Sequence, residues 1–471
     1  MGQEVNQISF TTNDFKSFND HLCAETKILE TMLENNEFND ASTVTGFELE
    51  GWLVDHNYFP APINQEFLQR IADPLVVSEL SLFNIELNGT PQALKKNAMS
   101  LLQKELEQTW CRCRQTANEM ESSLILIGTL PTLRNSDLTM ANISPMKRYL
   151  ALNEQVLKAR GNNPIKLNIK GREHLHVTHH DVMLEAATTS FQVHLQTPID
   201  TFVRHFNASI ILSAPIIAAT ANSPYLFGVD LWDETRVPLF EQAIAACDLA
   251  GNSRVSFGEG YITSSIDCFK YNQAKQPILL PILFGDPSKQ LKHLRLHNGT
   301  IWRWNRPLIG FNDEGKPHVR IEHRIMPAGP SIVDMIANAA LYIGACSSLA
   351  LLSEPAESKL NFAQARSNFY EAARSGLQAE IIWLDNKLHN VRDLLLHQII
   401  PMASSGLEAL GIDADERDYY INILRARIES RQTGAQWQRD FIGRYGSNFF
   451  NMTANYLHHQ QSGRPVYEWE I

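Results

Sequence analysis

The stretch Thr43-Val-Thr-Gly-Phe-Glu-Leu-Glu-Gly-Trp-Leu-Val-Asp55 carries two carboxylates, Glu48 and Glu50, at a spacing of two. On an extended strand both point to one face, with Phe47, Leu49 and Leu53 on the other. Carboxylates about 7 Å apart on one face repel unless a cation or a basic group lies between them. A solvated strand face is the plainer reading of one such strand, but three later stretches repeat the design. Asn84, Glu86 and Asn88 alternate with Phe83, Ile85 and Leu87, and Glu79 stands just upstream. Gln192, His194 and Gln196 alternate with Phe191, Val193 and Leu195, and Arg320, Glu322 and Arg324 oppose Val319, Ile321 and Ile325. On one twisted antiparallel sheet these polar faces meet. Carboxylates with one imidazole make a hard, oxygen-rich ligand set suited to Mg2+ or Mn2+ and not to zinc. Arginines beside them would place positive charge on a moving phosphoryl group. A half-exposed sheet with incidental charges competes with this reading.

Other nucleotide and catalytic signatures are missing. There is no Gly-x-x-x-x-Gly-Lys-Ser/Thr loop and no Gly-x-Gly-x-x-Gly after a strand; Phe257-Gly-Glu-Gly260 follows no βα unit. No Gly-x-Ser-x-Gly elbow supports a nucleophilic serine. His174-Leu-His176 and His179-His180 suggest zinc only weakly, since strand histidines are more often hydrogen-bonded side chains. A formal charge of −11, from 41 basic against 52 acidic residues with no basic stripe, argues against a nucleic-acid partner.

The elements that must position these groups follow from periodicity. The 471 residues, 44% hydrophobic and 20% charged, suit a globular protein with a substantial core. Helical spacing covers Phe15 to Asn36 and Ile63 to Ile71, and Leu75 to Asn88 is extended with an interruption near Ser78 to Ser81. Pro91 to Glu121 reads as a long helix capped by Thr90. Ser123 to Gly128 is a buried strand, and Ser144 to Arg160 a helix capped by Ser144. Ile165 to Ile169 and His174 to Thr178 pair across a turn. A helix runs from Ile199 to Leu212, with a second, small-residue helix to Ala221. Residues 252–298 resist assignment, and from Ser331 the chain is almost wholly helical. The expectation is an α+β fold, with a catalytic body over 1–345 and a C-terminal helical region over 346–471 packed on it. No apolar segment reaches about 18 residues, Ile210 to Ala221 being interrupted by Ser213, Pro215 and Thr220. Six scattered cysteines read as reduced thiols, and the polar N-terminus lacks a signal pattern. A cytoplasmic protein without a membrane partner is expected. The helical tail leaves a homo-oligomer open.

Several segments carry a resemblance. Thr45-Gly-Phe-Glu-Leu-Glu-Gly-Trp-Leu-Val-Asp55 resembles the opening strand of the glutamate–cysteine ligases and related carboxylate–amine ligases of the glutamine-synthetase-like superfamily. Ser190-Phe-Gln-Val-His-Leu-Gln196, Ala219-Thr-Ala-Asn-Ser-Pro-Tyr225, Gly299-Thr-Ile-Trp-Arg-Trp-Asn-Arg-Pro307 and Val319-Arg-Ile-Glu-His-Arg-Ile325 are similar to later segments of that family, in the family's order. Pro145-Met-Lys-Arg-Tyr149 resembles a further Arg-Tyr helix start. The resemblance implies a curved, mainly antiparallel sheet flanked by helices and an ATP-dependent ligase of glutathione biosynthesis or a close relative. It places Mg2+ (or Mn2+) at Glu48, Glu50, Glu86, His194 and Glu322, with Glu79 a further acidic ligand. It gives Arg324 and Arg306 the transferred phosphate, and Arg148, Asn222 and Arg303 substrate contacts. ATP, glutamate and an amine would be the small-molecule partners. A different amine acceptor and a non-catalytic nucleotide-binding homologue are the alternatives. Loss of Glu322 should abolish turnover while sparing the fold.

Overall fold

The computed structural model describes residues 5, 7–38, 43–245 and 253–471. Eight strands make the central sheet: β1 (Val44–Val54), β2 (Val76–Ser78), β3 (Asn84–Asn88), β4 (Gln92–Ala93), β5 (Ser123–Ile125), β6 (Phe191–Gln196), β7 (Asn305–Phe311) and β8 (Pro317–His323). Their order is β7-β8-β6-β1-β3-β2, with β4 and β5 pairing the two ends of β1. Every pairing is antiparallel. The four alternating stretches are thus neighbours in one curled sheet, as expected.

Register aligns their polar faces. Glu322 of β8 lies opposite His194 of β6, which lies opposite Gly46 of β1. Glu50 lies opposite Glu86, and Arg306 of β7 opposite Glu322. The apolar faces are fully buried at Leu49, Leu53, Ile85, Phe191 and Ile321, and Trp52 stacks on Phe83 with centroids 5.7 Å apart. The polar face is also covered, β6 being buried along its whole length. It is a cleft floor rather than a half-exposed surface.

Helix onsets differ from the sequence reading. Pro91 does not open a helix: Gln92 and Ala93 pair with Thr45 and Val44, Lys96 takes a left-handed φ of 52°, and the helix runs Ala98–Glu119. Ser144 does not cap its helix, which runs Lys147–Ala159; its buried hydroxyl instead donates to the Glu79 carbonyl. Ile199–Thr220 is one helix with Pro215 inside it, not two. Residues 253–298 hold two helices, Asp267–Lys275 and Lys292–Gly299, and a short strand, Val255–Ser256, parallel to Trp302–Arg303. The N-terminal helix Thr12–Glu34 packs on those two helices through Glu25 to His293 and Glu30 to Lys270.

Two helices, Ile199–Thr220 and Ile332–Ala350, are long and apolar enough to cross a membrane, with mean hydropathies of 1.4 and 1.5, against the expectation of no such segment. Burial of 89% of each apolar window makes them core helices. The interrupting Ser213 and Thr220 donate to carbonyls one turn back, at Ser209 and Ile216, so they do not break the helix. Beyond residue 350 the chain is helical apart from a hairpin, Glu380–Ile382 with Leu388–Asn390. One hydrophobic cluster runs from Phe18 to Trp469 and takes in both the sheet and the C-terminal helices.

Candidate active site

The polar sheet face floors a cleft of about 680 Å³. Along its floor and just beneath it two groups form, each with ligand atoms within 4.8 Å of one another: Glu48–His194–Glu322, of which Glu48 lines the cleft, and Glu50–Glu79–Glu86, all of which do. The first group is buried in all three members. His194 Nδ1 accepts from Arg320 Nε at 3.0 Å, so Nε2 faces the carboxylates, 3.2 Å from Glu48 Oε1 and 3.8 Å from Glu322 Oε1. Among the described residues, Glu48 Oε2 and His194 Nε2 are buried with no aligned hydrogen-bond partner. Buried polar atoms are rarely left so. A cation there satisfies Glu48 Oε2, and the oxygen-rich set suits Mg2+ or Mn2+.

Glu322 is clamped. Arg306 Nε and Nη2 donate to its two oxygens at 2.7 and 2.8 Å, and Arg324 Nη1 reaches Oε2 at 3.1 Å. Burial would raise its carboxyl, but Arg306 first and Arg324 next hold it far below the usual range. Burial likewise works against ionisation of Glu48, and its interaction with His194 outweighs it, leaving a net depression. Glu48 and Glu322 are thus favoured in their ionised form in the empty cleft.

The second group is its opposite. Burial, followed by Glu48, raises Glu86 to about 7. Burial and then Glu86 push Glu79 well above its ordinary value. Burial raises Glu50 too, although Arg324 and the Ser190 donors oppose it. Ser190 N, Ser190 Oγ and Gln192 Nε2 donate to Glu50 at 2.7, 3.0 and 2.8 Å, and Asn88 Nδ2 donates to Glu86 at 3.0 Å. Three like charges this close hold protons unless a cation replaces them.

The walls bring in residues that the sequence reading missed. Glu185 enters from the one-sided turn Val182–Ala187, whose other side chains are buried. Burial first, then Glu50, against Arg324, lifts its carboxyl to about 8. Lys292 and Arg295, three apart on Lys292–Gly299, line the opposite side. A lone acid in the apolar run Val182-Met-Leu-Glu-Ala-Ala187 was the only sequence signal for Glu185.

The expected arginines divide. Arg324 lines the cleft and also donates to Gln192 Oε1. Arg306 is 1% exposed and spends its guanidinium on Glu322 and the Gly299 carbonyl, so its place is to hold Glu322. Arg148 lines the cleft beside Tyr149, donating to its hydroxyl at 2.6 Å. Two expected substrate contacts are not brought there. Arg303 lies behind the wall, donating to Asn272 Oδ1 over the Tyr271 ring. Asn222 is fully buried beneath it, donating to Ala328 O and Tyr456 Oη and accepting from Gln438. Its polar atoms are spent on the fold.

His174 and His179 bond Asn168 and Asn135, and no histidine-rich ligand group forms among the described residues. Cys23, Cys111, Cys113, Cys268 and Cys346 are free thiols; Cys247 lies outside the described residues.

The family model for glutamate–cysteine ligase family 2 (GCS2) matches residues 44–467. No curated protein matches the chain. Among solved structures, a glutamate–cysteine ligase from Francisella tularensis in complex with AMP superposes with a TM-score of 0.55 at 12% identity, over 90% of each chain. A bifunctional glutathione synthetase from Pasteurella multocida superposes with a TM-score of 0.52 at 12% identity, over 93% of this chain and 54% of its own. The chain thus spans about half of the latter protein. At such identity these likenesses concern the fold.

Proposed function

Since the chain belongs to glutamate–cysteine ligase family 2, and is on that ground an ATP-dependent carbon–nitrogen ligase, we propose that it phosphorylates the γ-carboxylate of glutamate and passes the acyl group to a small amine, cysteine first among them. The observation that carries this reading is the pair of acidic groups, Glu48–His194–Glu322 and Glu50–Glu79–Glu86, on the floor of one cleft bordered by guanidinium groups.

Divalent cations held by these groups when bound would neutralise the phosphate oxygens as the γ-phosphoryl group moves. The residues themselves divide the remaining work. Lys292 and Arg295 offer a cationic wall to the triphosphate. Arg324, anchored on Glu322 and Gln192, sets its guanidinium edge at the cleft for charge on the transferred phosphoryl. Arg306 keeps Glu322 ionised and aimed. Arg148 is placed to receive a substrate carboxylate. The apolar lining of Phe269, Leu280 and Phe284 limits water around an acyl phosphate that water would destroy. Amine attack then expels phosphate with the electrons of the carbon–oxygen bond and leaves an amide. The free thiols fit a reducing compartment such as the cytoplasm.

Phosphate release from Mg-ATP tests this reading, with glutamate alone and then with a panel of amines that includes cysteine. Release only on adding cysteine supports it. Release with another amine keeps the mechanism and replaces the acceptor. Silence throughout contradicts it.

A further inference from the structure

Five of the six carboxylates around the cleft have partners. Glu48 faces His194, Glu50 accepts from Ser190 and Gln192, Glu79 accepts from the Leu80 amide, Glu86 accepts from Asn88, and Glu322 is held by two arginines. Glu185 is the exception: among the described residues its carboxylate makes no hydrogen bond or ion pair, although it lines the cleft. It also stands outside both groups of carboxylates close enough to share a cation.

Its position is built. Asp181 caps the turn by accepting from Met183 N at 3.0 Å, and Asn153 Oδ1 accepts from Val182 N at 3.1 Å. The second bond ties the turn to Lys147–Ala159, the helix that brings Arg148, Tyr149 and Leu152 to the same cleft. Val182, Met183, Leu184, Ala186 and Ala187 are buried, and of this turn only the apolar Val182 and the carboxyl of Glu185 line the cleft. The result is a cleft lined by the Glu185 carboxyl, the Arg148 guanidinium and the apolar side chains of Leu152 and Val182. Lys292 and Arg295 form the cationic wall near β7 and β8, at the other side.

We propose that Glu185 is the residue that selects the amine substrate, receiving its ammonium group while Arg148 faces the anionic part of the same molecule. The inference rests on the ligase reading. An arriving ammonium ion stabilises the ionised form of Glu185, which burial disfavours in the empty cleft, whereas a neutral nucleophile gains nothing from it.

The test is steady-state phosphate release by the wild type and E185Q, with the amine active in the panel and with hydroxylamine, which is uncharged at neutral pH. The variant's KM for the cationic amine should rise roughly tenfold to a hundredfold, while KM for ATP, for glutamate and for hydroxylamine stays within about twofold. Its Tm should equal or exceed that of the wild type, because burial already disfavours the ionised carboxylate and an amide has no proton to lose there. An equal rise for hydroxylamine, a rise in the KM for glutamate instead, a changed divalent-cation requirement or unchanged amine KM would overturn the proposal. So would a lower Tm with uniform loss, which marks a structural role. A wild type silent with every amine would overturn the ligase reading itself, a failure distinct from those of E185Q.

Discussion

Each acidic residue in the cleft is either held charged by a partner or pushed toward its protonated form by burial and like-charged neighbours, and the two kinds answer differently to mutation. Glu86, raised to about 7 by burial and Glu48, stabilises the fold below the ordinary carboxylate pKa. That stability is lost as pH rises through about 7, where the buried group must ionise. Glu86→Gln should therefore raise Tm at pH 8 in the absence of divalent cations, by about 1–3 kcal/mol of stability. The same change should lower kcat by roughly a hundredfold or more. Melting curves across pH and initial rates check both halves. Glu322→Gln should lose activity and also about 3–5 kcal/mol, because it strips the bidentate partner from Arg306. Urea titration distinguishes that loss from the expectation that turnover is lost while the fold is spared. Glu48, Glu50, Glu86, His194 and Glu322 were legible because alternation on a strand is a strict period of two. Glu185 and Lys292 were not, because no period marks a short turn or the poorly patterned segment 253–298.

Elements were legible in kind more than in their boundaries. Thr90-Pro91 has the composition of a helix start, yet the backbone after it has a better use in pairing with β1, and the helix waits until Ala98. Ser144 was misread for a related reason, since its hydroxyl serves the Glu79 carbonyl, a partner distant in sequence. The packing of Ile332–Ala350 on Ile400–Ala409 was invisible. There Gly344 and Gly406 bring two helix backbones together: a Cβ on Gly344 would lie 2.2 Å from Ala403 O, and one on Gly406 1.9 Å from Gly344 O. Neither helix can yield without moving its own core, so Gly344→Ala should cost about 1–3 kcal/mol or more. Denaturant melts would show this, with KM values preserved in the fraction that folds.

At the scale of the molecule, the C-terminal helices complete the sheet. β5 stops at Ile125 because the next residue, Leu126, bonds a side chain instead of a strand: its amide donates to Gln460 Oε1 at 3.0 Å. Its carbonyl accepts from Gln460 Nε2 at 2.7 Å and from Tyr456 Oη at 3.0 Å. Asp334 and Arg427 form a buried ion pair at 2.8 Å that ties the core helix Ile332–Ala350 to Ala414–Ser430. A chain truncated before residue 434 should accordingly fail to give a folded catalytic body, and the intact chain should melt in one calorimetric transition. A soluble, active truncated body would contradict this. The antiparallel sheet and its helical cover followed from alternation and from the resemblance in segment order. The strand order did not, because β1 pairs with β6, more than a hundred residues on, and no local pattern encodes that distance.

The proposed reaction turns on phosphorylation of a carboxylate in this cleft. Glutamate carrying a heavy oxygen isotope in its γ-carboxylate, turned over with Mg-ATP and the accepted amine, tests that claim most directly by mass spectrometry of the released phosphate. One labelled oxygen transferred to each phosphate is the predicted result. Unlabelled phosphate formed in step with the amide would contradict it.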